Sequence, residues 1–418
     1  MRKKFVSNIS FLLFANLLVK PLWIFGIDRS VQVQAGAVEY GNYFTAMNIA
    51  YLLSILLDFG INNFTNRSVS RNNNRAVEFL SNLLPIKVVL AAIYLVVTIV
   101  FALLSGIRGW LLFLVLLSAL SMTMTSFVLH FRAYVAALHK FRTDSYLSVT
   151  DKLIATILVG TLLVFGSTKL PSTLILLFSV AQLFALTITA IIAYNIVSKK
   201  HKEHIPQWSW EYTRAMLLHS LPFALLILQM TIYGRIDGFL LNRMLPQGSD
   251  ETGIYASGFR LLDAATQFGY LAATILLPMF AKAIKEKTDV RPLTSLSALL
   301  LIVGATTLAV FVLQFKTEIV FVLYHTNDLR YSNALAILMF TFIPIASNYV
   351  FSTLLTANGS LKLLNIFATL GIIINVFLNF LLIPKFSALG AAFSALATQS
   401  FIALCNVVAV FFIFRKNK

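Results

Sequence analysis

The sequence predicts an all-α integral membrane protein with about twelve transmembrane helices in two parallel six-helix lobes. Of the 418 residues, 59% are hydrophobic and only 12% are charged, and the mean hydropathy is +0.84. In soluble domains roughly a quarter of all residues are charged. Apolar blocks of about 20 residues, enough to cross a hydrocarbon core of about 30 Å, recur along the whole chain. Blocks of this length favour helices over the short alternating strands of a membrane barrel.

Twelve spans are expected where apolar windows lie between polar breaks. They cover residues 8–27, 41–62, 79–104, 110–138, 147–167, 171–198, 211–241, 253–280, 293–315, 331–356, 361–383 and 388–414. The first six spans form a predicted N-terminal lobe, residues 1–198, and the last six a C-terminal lobe, residues 211–418. Residues 199–210 are the predicted cytoplasmic linker.

The basic residues are unevenly distributed among the predicted loops, and the chain has a net charge of +17. With the N-terminus in the cytoplasm, the loops and termini on that side hold 21 of the 33 cations, and the opposite loops hold seven. A threefold excess in short loops orients the helices by the positive-inside rule. Both termini are therefore predicted to be cytoplasmic. No basic patch with interleaved aromatic residues lies outside the spans, so no nucleic-acid partner is expected.

Several function classes lack their sequence signals. No segment matches G-x-x-x-x-G-K-[ST], which argues against a primary ATP-driven pump, and no clustered Cys or His pattern indicates a metal. Cys405 is the one cysteine and is interpreted as a packing residue. No stretch between spans is longer than about 20 residues, whereas a folded domain needs about 50 or more. We expect no cofactor and no metal.

Two pairs of segments resemble each other about half a chain apart. YGNYFTAMN (40–48) aligns with TGIYASGFR (252–260), which pairs Gly41 with Gly253. AQLFALTITAIIAYNIVSKK (181–200) aligns with TQSFIALCNVVAVFFIFRKN (398–417). Either pair alone is equally compatible with chance similarity between apolar helices. Together they indicate two homologous halves of the same orientation, an arrangement found in transporters.

Three segments resemble polysaccharide exporters: EYGNYFTAMNIAYLLSILLDFGINNFTNRSVSR (39–71), RIDGFLLNRMLPQGSDETGIYASGFRLLDA (235–264) and LGAAFSALATQSFIA (389–403). The resemblance is to the O-antigen flippase branch of the multidrug/oligosaccharidyl-lipid/polysaccharide exporter superfamily. Members move undecaprenyl-diphosphate-linked oligosaccharide from the inner to the outer leaflet of the bacterial cytoplasmic membrane, and their two lobes surround a central cavity. Lipid II flippases of the superfamily have fourteen helices, and this chain has no room for the additional pair.

This resemblance implies a secondary transporter rather than an enzyme, acting in O-antigen, lipopolysaccharide or other surface polysaccharide biosynthesis in the inner membrane. The implied partners are the lipid-linked oligosaccharide, membrane lipids, H⁺ or Na⁺ as a coupling ion, and polysaccharide assembly proteins. Two alternatives remain open. One is an ion-coupled multidrug antiporter of the same fold, and the other is a membrane polymerase or ligase that acts on the lipid-linked glycan.

Charged residues inside the spans are the main functional candidates, because a charge at mid-bilayer costs about 2.5–3.5 kcal/mol on insertion scales. Lys20, Arg235 and Arg260 are the deepest cations, and we expect them to face the cavity and bind the diphosphate. Lys87 and Arg132 lie within two or three turns of the predicted cytoplasmic ends and could extend to the membrane surface.

The carboxylates Asp58, Asp237 and Asp263 lie inside the spans and are candidates for ion coupling or for neutralising the cations. Asp263 follows Arg260 by three residues, a spacing that allows the two to pair on one helix. Arg235 and Asp237 lie on different sides of their helix, so at least one of them must contact another helix.

Polar side chains in the spans are candidates for hydrogen bonds to the glycan. The residues selected are Asn16, His130, Tyr233, Gln267 and Asn348. Asn375 and Asn379 form a further stripe at a spacing of four. Hydrogen bonding between helices explains such residues equally well.

Overall fold

The computed structural model describes residues 18–59, 61, 76–137, 140–166, 170–198 and 210–415, in which there is helix and no strand. A π-helical segment, Leu22–Asp28, leads into the first α-helix, and a 3-10 turn, Ser54–Leu57, follows that helix. The α-helices are α1 Arg29–Leu52, α2 Ala76–Leu104, α3 Gly109–Ala137, α4 Phe141–Phe165, α5 Pro171–Ser198, α6 Trp210–Met244, α7 Gly248–Lys285, α8 Arg291–Gln314, α9 Lys316–Tyr324, α10 Leu329–Ala357 and α11 Leu361–Arg415.

The all-α membrane fold is confirmed. Nine helices of the described ranges are long and apolar enough to cross a membrane. One of these segments, Leu361–Ile413, is 53 residues long and accommodates two crossings, since each needs about 20 residues. The helical stretch from residue 18 to Leu52 overlaps the first two predicted spans. The helix count is thus consistent with about twelve spans, and the protein is a multi-pass membrane protein.

Kinks replace two of the predicted loops. At Gly36 the backbone has φ 75° and ψ 169°, which only glycine adopts readily, and helix continues on both sides of it. At Ser387 the φ of 52° and ψ of −128° divide α11, three residues after Pro384. The loops expected between the first two spans and between the last two are therefore sharp bends within helices.

The N-terminal part of α4 differs from the sequence prediction. The helix begins at Phe141 instead of residue 147, because its first three turns are too polar for an apolar window to detect. Asp144 lies in the first turn, where a carboxylate stabilises the positive end of the helix dipole. Lys152 lies in this helix, within the predicted span 147–167.

The chain folds into two compact units, Met1–Ala35 with Ala46–Ala224, and Gly36–Thr45 with Leu225–Lys418. In unit 1, α3 packs against α2, α4 and α5, and the 3-10 turn contacts α2 and α3. The predicted linker, residues 199–210, lies outside the described residues apart from Trp210, and the predicted lobe boundaries stay a prediction.

In unit 2, α10 is the central helix and packs against α7, α8, α9 and α11. Asp328 caps its N-terminus by accepting a hydrogen bond of 2.8 Å from the backbone N–H of Arg330. The segment Gly36–Thr45 belongs to this unit and crosses α7 through small residues. A methyl group on Gly41 would overlap the carbonyl of Ser249, and one on Gly253 would overlap that of Ala37. Such small residues allow close backbone approach in membranes.

Candidate functional site

A bidentate ion pair joins α6 to α7 in unit 2. The two Nη atoms of Arg235 each lie 3.1 Å from one carboxylate oxygen of Asp263. The guanidinium carbon also lies 4.9 Å from the centre of the Phe259 ring. The sequence predicted that Arg260 could pair with Asp263 along one helix. In the structure, Arg235 of the neighbouring helix makes the bidentate contact with Asp263. The side chains of Arg235 and Asp263 are 20% and 25% exposed, so the pair is accessible to a ligand.

The second arginine, Arg260, lies among aromatic residues. Its Nε donates a hydrogen bond of 2.9 Å to the hydroxyl of Tyr40, and its guanidinium carbon lies 5.6 Å from the centre of the Phe44 ring. Phe44 in turn packs edge-on against Phe259, which supports Arg235. The packed rings of Phe44 and Phe259 therefore contact both guanidinium groups in unit 2, and cation–π contact stabilises each guanidinium.

Asp237 lies in a buried cluster of neutral donors. Its Oδ1 accepts hydrogen bonds of 3.0 Å from Asn375 and 2.7 Å from Asn379, both on α11. Its Oδ2 accepts one of 3.1 Å from the hydroxyl of Tyr255 on α7. The carboxylate is 1% exposed. A buried carboxylate held by hydroxyl and amide groups can accept a proton or a small cation, since Tyr255, Asn375 and Asn379 are polar but carry no charge.

In unit 1, Asp58 forms a different arrangement. Lys87 extends its Nζ to Asp58 at 3.2 Å, to the carbonyl of Leu57 at 3.0 Å and to the hydroxyl of Ser126 at 2.6 Å. Lys87 is 2% exposed, so the interpretation that it extends to the membrane surface is wrong. The 3-10 turn ends at Leu57 and leaves its carbonyl available, and the ammonium satisfies it. Asp58 is therefore placed as a counter-ion of a buried lysine.

His130 is fully buried one turn after Ser126 on α3, and neither ring nitrogen has a hydrogen-bond partner in the described ranges. Lys20 lies within electrostatic reach of Arg132, Lys152 and Asp151, all in unit 1. Asn16 lies outside the described residues. The candidate cation Lys20 is partly buried and lies just before the π-helical segment Leu22–Asp28.

Comparison with known proteins decides the family. The polysaccharide biosynthesis protein family model matches residues 6–284, about two thirds of the chain. The chain belongs to this family. No curated protein matches it in sequence.

Solved structures show which fold this polysaccharide biosynthesis protein shares. A lipid II flippase MurJ in an inward closed conformation is 14% identical with a TM-score of 0.71, covering 96% of this chain and 87% of that chain. A mutant of the Vibrio cholerae MATE transporter VcmN is 14% identical with a TM-score of 0.67, covering 99% and 97%. A MOP superfamily transporter from Pyrococcus furiosus is 14% identical with a TM-score of 0.65, covering 97% and 94%. At these identities the likeness shows a common fold.

The remaining glycan candidates of this polysaccharide biosynthesis protein lie in unit 2. Asn348 on α10 donates a hydrogen bond of 3.2 Å to Gln399 and accepts one of 2.9 Å from Asn406, both on α11. Gln267 lies one turn after Asp263 and is partly exposed. Tyr233 is buried against Ala368 and Ile402. Because Tyr233 and His130 are both buried, neither is placed to contact a glycan directly in this conformation.

Glu251 is a charged residue of this polysaccharide biosynthesis protein that the sequence analysis did not select as a candidate. Glu251 is buried, accepts a hydrogen bond of 2.8 Å from Arg330 and accepts another of 3.0 Å from the backbone N–H of Ala388. Ala388 follows the kink at Ser387, where an N–H loses its partner within the helix. The signal available in the sequence was Pro384, which predicts a broken helix whose freed donors need an acceptor.

Proposed function

We propose that this protein is a secondary transporter that flips undecaprenyl-diphosphate-linked oligosaccharide from the inner to the outer leaflet of the bacterial cytoplasmic membrane. The observation that carries the proposal is the match to the polysaccharide biosynthesis family, made by a chain that shares its fold with a lipid II flippase. The oligosaccharide would serve O-antigen or another surface polysaccharide. In this orientation both termini are cytoplasmic, in line with the distribution of basic residues.

Arg235 and Arg260 are the proposed headgroup contacts in unit 2. Arginine binds phosphate through two parallel hydrogen bonds, as it already binds the carboxylate of Asp263. A diphosphate can therefore compete with Asp263 for the same guanidinium, so that binding exchanges one anion for another. The rings of Phe44 and Phe259 would hold the two arginines in place while the diphosphate replaces the carboxylate.

Gln267 and Asn348 are the proposed glycan contacts in unit 2. Gln267 lies on the helix that carries Asp263 and Arg260, and its side chain is partly exposed. Asn348 belongs to an amide group with Gln399 and Asn406 whose donors and acceptors match those of sugar hydroxyls. A glycan would take over hydrogen bonds that these amides now make with one another.

Asp237 is the proposed coupling group for H⁺ or Na⁺. Its carboxylate is buried and surrounded by oxygen and nitrogen atoms of Asn375, Asn379 and Tyr255. The amide oxygen of Asn379 is also buried and has no hydrogen-bond partner among the described residues. Carboxylate and amide oxygens are ligands suited to a hard cation, and the carboxylate alone can take a proton.

An ion-coupled multidrug antiporter is the second candidate, because a MATE transporter shares the fold along the whole chain. The two functions make opposite demands on the arginines. A cationic drug would be repelled by Arg260, whereas a diphosphate would be attracted. Arg235 is neutralised by Asp263 until another anion replaces that carboxylate. Replacement of Arg260 should therefore weaken a flippase and leave or improve a drug antiporter.

The deciding experiment measures leaflet transfer of labelled undecaprenyl-diphosphate oligosaccharide in proteoliposomes with an imposed ion gradient. Wild type is compared with Arg260→Ala and Arg260→Lys, with Arg291→Ala, an arginine whose side chain is 44% exposed, as the matched control. We expect transfer by wild type and the control and a loss in Arg260→Ala that lysine restores in part. Efflux of cationic dyes without transfer of the lipid would instead establish the antiporter.

A further inference from the structure

Glu251 joins three helices of unit 2 through one carboxylate. It lies in the first turn of α7 and is 7% exposed. Its Oε1 accepts a hydrogen bond of 2.8 Å from Arg330 at the start of α10. Its Oε2 accepts one of 3.0 Å from the backbone N–H of Ala388 in α11. A buried carboxylate is costly unless its oxygens are satisfied, and here each oxygen is satisfied by a different helix.

Arg330 is itself fixed by a second carboxylate. Its Nε donates a hydrogen bond of 2.9 Å to Asp328, which also caps α10. The guanidinium is therefore held between two carboxylates, and such charge-assisted contacts restrict the position of Glu251 as well. Glu251, Arg330 and Asp328 belong to the starts of α7 and α10. The N–H of Ala388 is thus attached to a frame formed by two other helices.

The kink at Ser387 needs an attachment of this kind. Its φ of 52° and ψ of −128° match the first central position of a type II′ turn, a position that favours glycine and is strained for serine. Strained backbone persists only where neighbouring contacts hold it. The kink is also tight, because a methyl group added to Gly390 would overlap the carbonyl of Leu382. The two segments of α11, residues 361–386 and 388–415, therefore meet at a geometry that the contacts around the kink must maintain.

The two segments hold different functional candidates. Asn375 and Asn379 of the first segment donate hydrogen bonds to Asp237, the proposed coupling group. Asn406 of the second segment donates one to Asn348, a proposed glycan contact. The kink is therefore the covalent junction between the proposed ion group and the proposed glycan group.

We propose that Glu251 is a positioning residue of the transporter: by holding the kink of α11, it sets the position of the coupling group at Asp237 relative to the glycan group at Asn348. The inference rests on the proposed function of these two groups. Release of the N–H of Ala388 would let the two segments of α11 move independently. Occupancy of one group would then no longer affect the other, since coupling between sites requires a shared element with discrete arrangements.

The first measurement follows the geometry of the kink. Spin labels at Phe377→Cys and Leu404→Cys, whose native side chains are 65% and 63% exposed, report the separation of the two segments by pulsed electron paramagnetic resonance. Cys405→Ala removes the native thiol. We expect a narrow distance distribution in this parent and a broad one after Glu251→Gln, because an amide has one acceptor oxygen for two donors. Glu286→Gln, at the exposed C-terminal end of α7, is the matched control and should keep the narrow distribution.

The second measurement is leaflet transfer of labelled undecaprenyl-diphosphate oligosaccharide in proteoliposomes, with and without an imposed H⁺ or Na⁺ gradient. In Glu251→Gln, stimulation of transfer by the gradient should fall about fivefold or more, as expected for the loss of coupling between two sites. The double variant Glu251→Gln/Ser387→Gly should regain both the narrow distribution and the stimulation, because glycine adopts the conformation at residue 387 without strain. Thermal unfolding verifies that each variant is folded.

Each other outcome has a definite meaning. A narrow distribution in Glu251→Gln overturns the proposal, whatever the protein transports. Broadening without a change in the gradient response overturns the link between the two groups, and a loss that Ser387→Gly does not restore assigns Glu251 a role other than holding the kink. Broadening and its rescue in a protein whose wild type transfers no lipid leave Glu251 as the residue that positions α11 and overturn the proposed flippase function, so the two failures are distinguishable.

Discussion

Arg235 and Asp263 face each other across α6 and α7 with two matched contacts of 3.1 Å, although 28 residues separate them in the chain. Each charge would be costly inside a membrane span by itself, and the pair neutralises both. The geometry is the one that a guanidinium also adopts toward phosphate, and under the proposed function a diphosphate would compete with Asp263 for it.

Removal of Arg235 alone should be more harmful than removal of both partners. Arg235→Ala removes both guanidinium contacts to the carboxylate of Asp263 and should lower the free energy of unfolding by about 2 kcal/mol. Arg235→Ala/Asp263→Ala should recover part of that loss, because no charge remains unpaired. Thermal unfolding in detergent measures both variants together with the single variant Asp263→Ala. Additive effects of the two single substitutions would show that the pair contributes no coupling.

Asp237→Asn should uncouple transport without unfolding the protein. Its amide oxygen can still accept from Asn375 and Asn379, and its NH₂ can donate to the hydroxyl of Tyr255, so stability should change by less than about 1 kcal/mol. Transfer of the lipid-linked glycan should no longer respond to an imposed H⁺ or Na⁺ gradient. Asp289→Asn, at an exposed carboxylate, is the matched control. A full gradient response in Asp237→Asn would exclude this carboxylate as the coupling group.

His130→Leu should stabilise the protein. The imidazole is completely buried and neither nitrogen finds a partner in the described part of the chain, which is an unfavourable state for polar atoms. Relief of this desolvation cost, offset by some lost volume, should raise the free energy of unfolding by about 1 kcal/mol. Thermal unfolding and leaflet transfer should be measured together. A stable variant that no longer transports would show that His130 has a functional role that its burial does not suggest.

Asp328 should contribute a small pH-dependent term to stability. Its side chain accepts a hydrogen bond from Arg330, which holds the pKa of Asp328 below its ordinary value of 3.8. A lowered pKa in the folded state means that the contribution is present above the ordinary pKa and is lost as the pH falls through the lowered value. The side chain is partly exposed, so the term should stay below about 1 kcal/mol.

Two variants separate the capping role of Asp328 from its charge. Asp328→Ala removes the N-cap of α10 and should cost about 1 kcal/mol at neutral pH. Asp328→Asn keeps a capping oxygen and should lose only the dependence on pH. Thermal midpoints at pH 6 and in the acidic range test both expectations. An acid response in Asp328→Asn equal to that of wild type would assign this pH dependence to other groups.

The helices were predictable from sequence because apolar length and helix breakers mark them. Pro171 and Ser198 bound α5 where the sequence placed the span, since a proline begins it and basic residues follow it. The start of α4 at Phe141 was missed because its polar turns match no apolar window. Helix there is stabilised by packing rather than by hydrophobic pattern.

The charged residues inside the spans were also predictable, but most of their partners were not. Spacing along one helix favoured Arg260 beside Asp263, whereas Arg235 reaches Asp263 from another helix. Asn375 was interpreted as a glycan contact and is a donor to Asp237, 138 residues away. A single sequence carries no record of which helix faces are adjacent, so such partners require the fold.

The crossing of Gly36–Thr45 with α7 gives the sharpest test of the packing in unit 2. Gly41 and Gly253, which the internal sequence comparison aligned, lie in one interface where each has a backbone carbonyl of the other helix within overlap distance of an added methyl group. Gly253→Ala should push the helices apart and cost about 1–3 kcal/mol, as overpacking of a tight core does.

Gly304→Ala in α8 is the matched control, because nothing lies within 4 Å of its added methyl group. Alanine is the better helix former, so the control should gain up to about 1 kcal/mol. Thermal unfolding of both variants in the same detergent compares them directly, and an unchanged midpoint in Gly253→Ala would contradict the close approach of these helices.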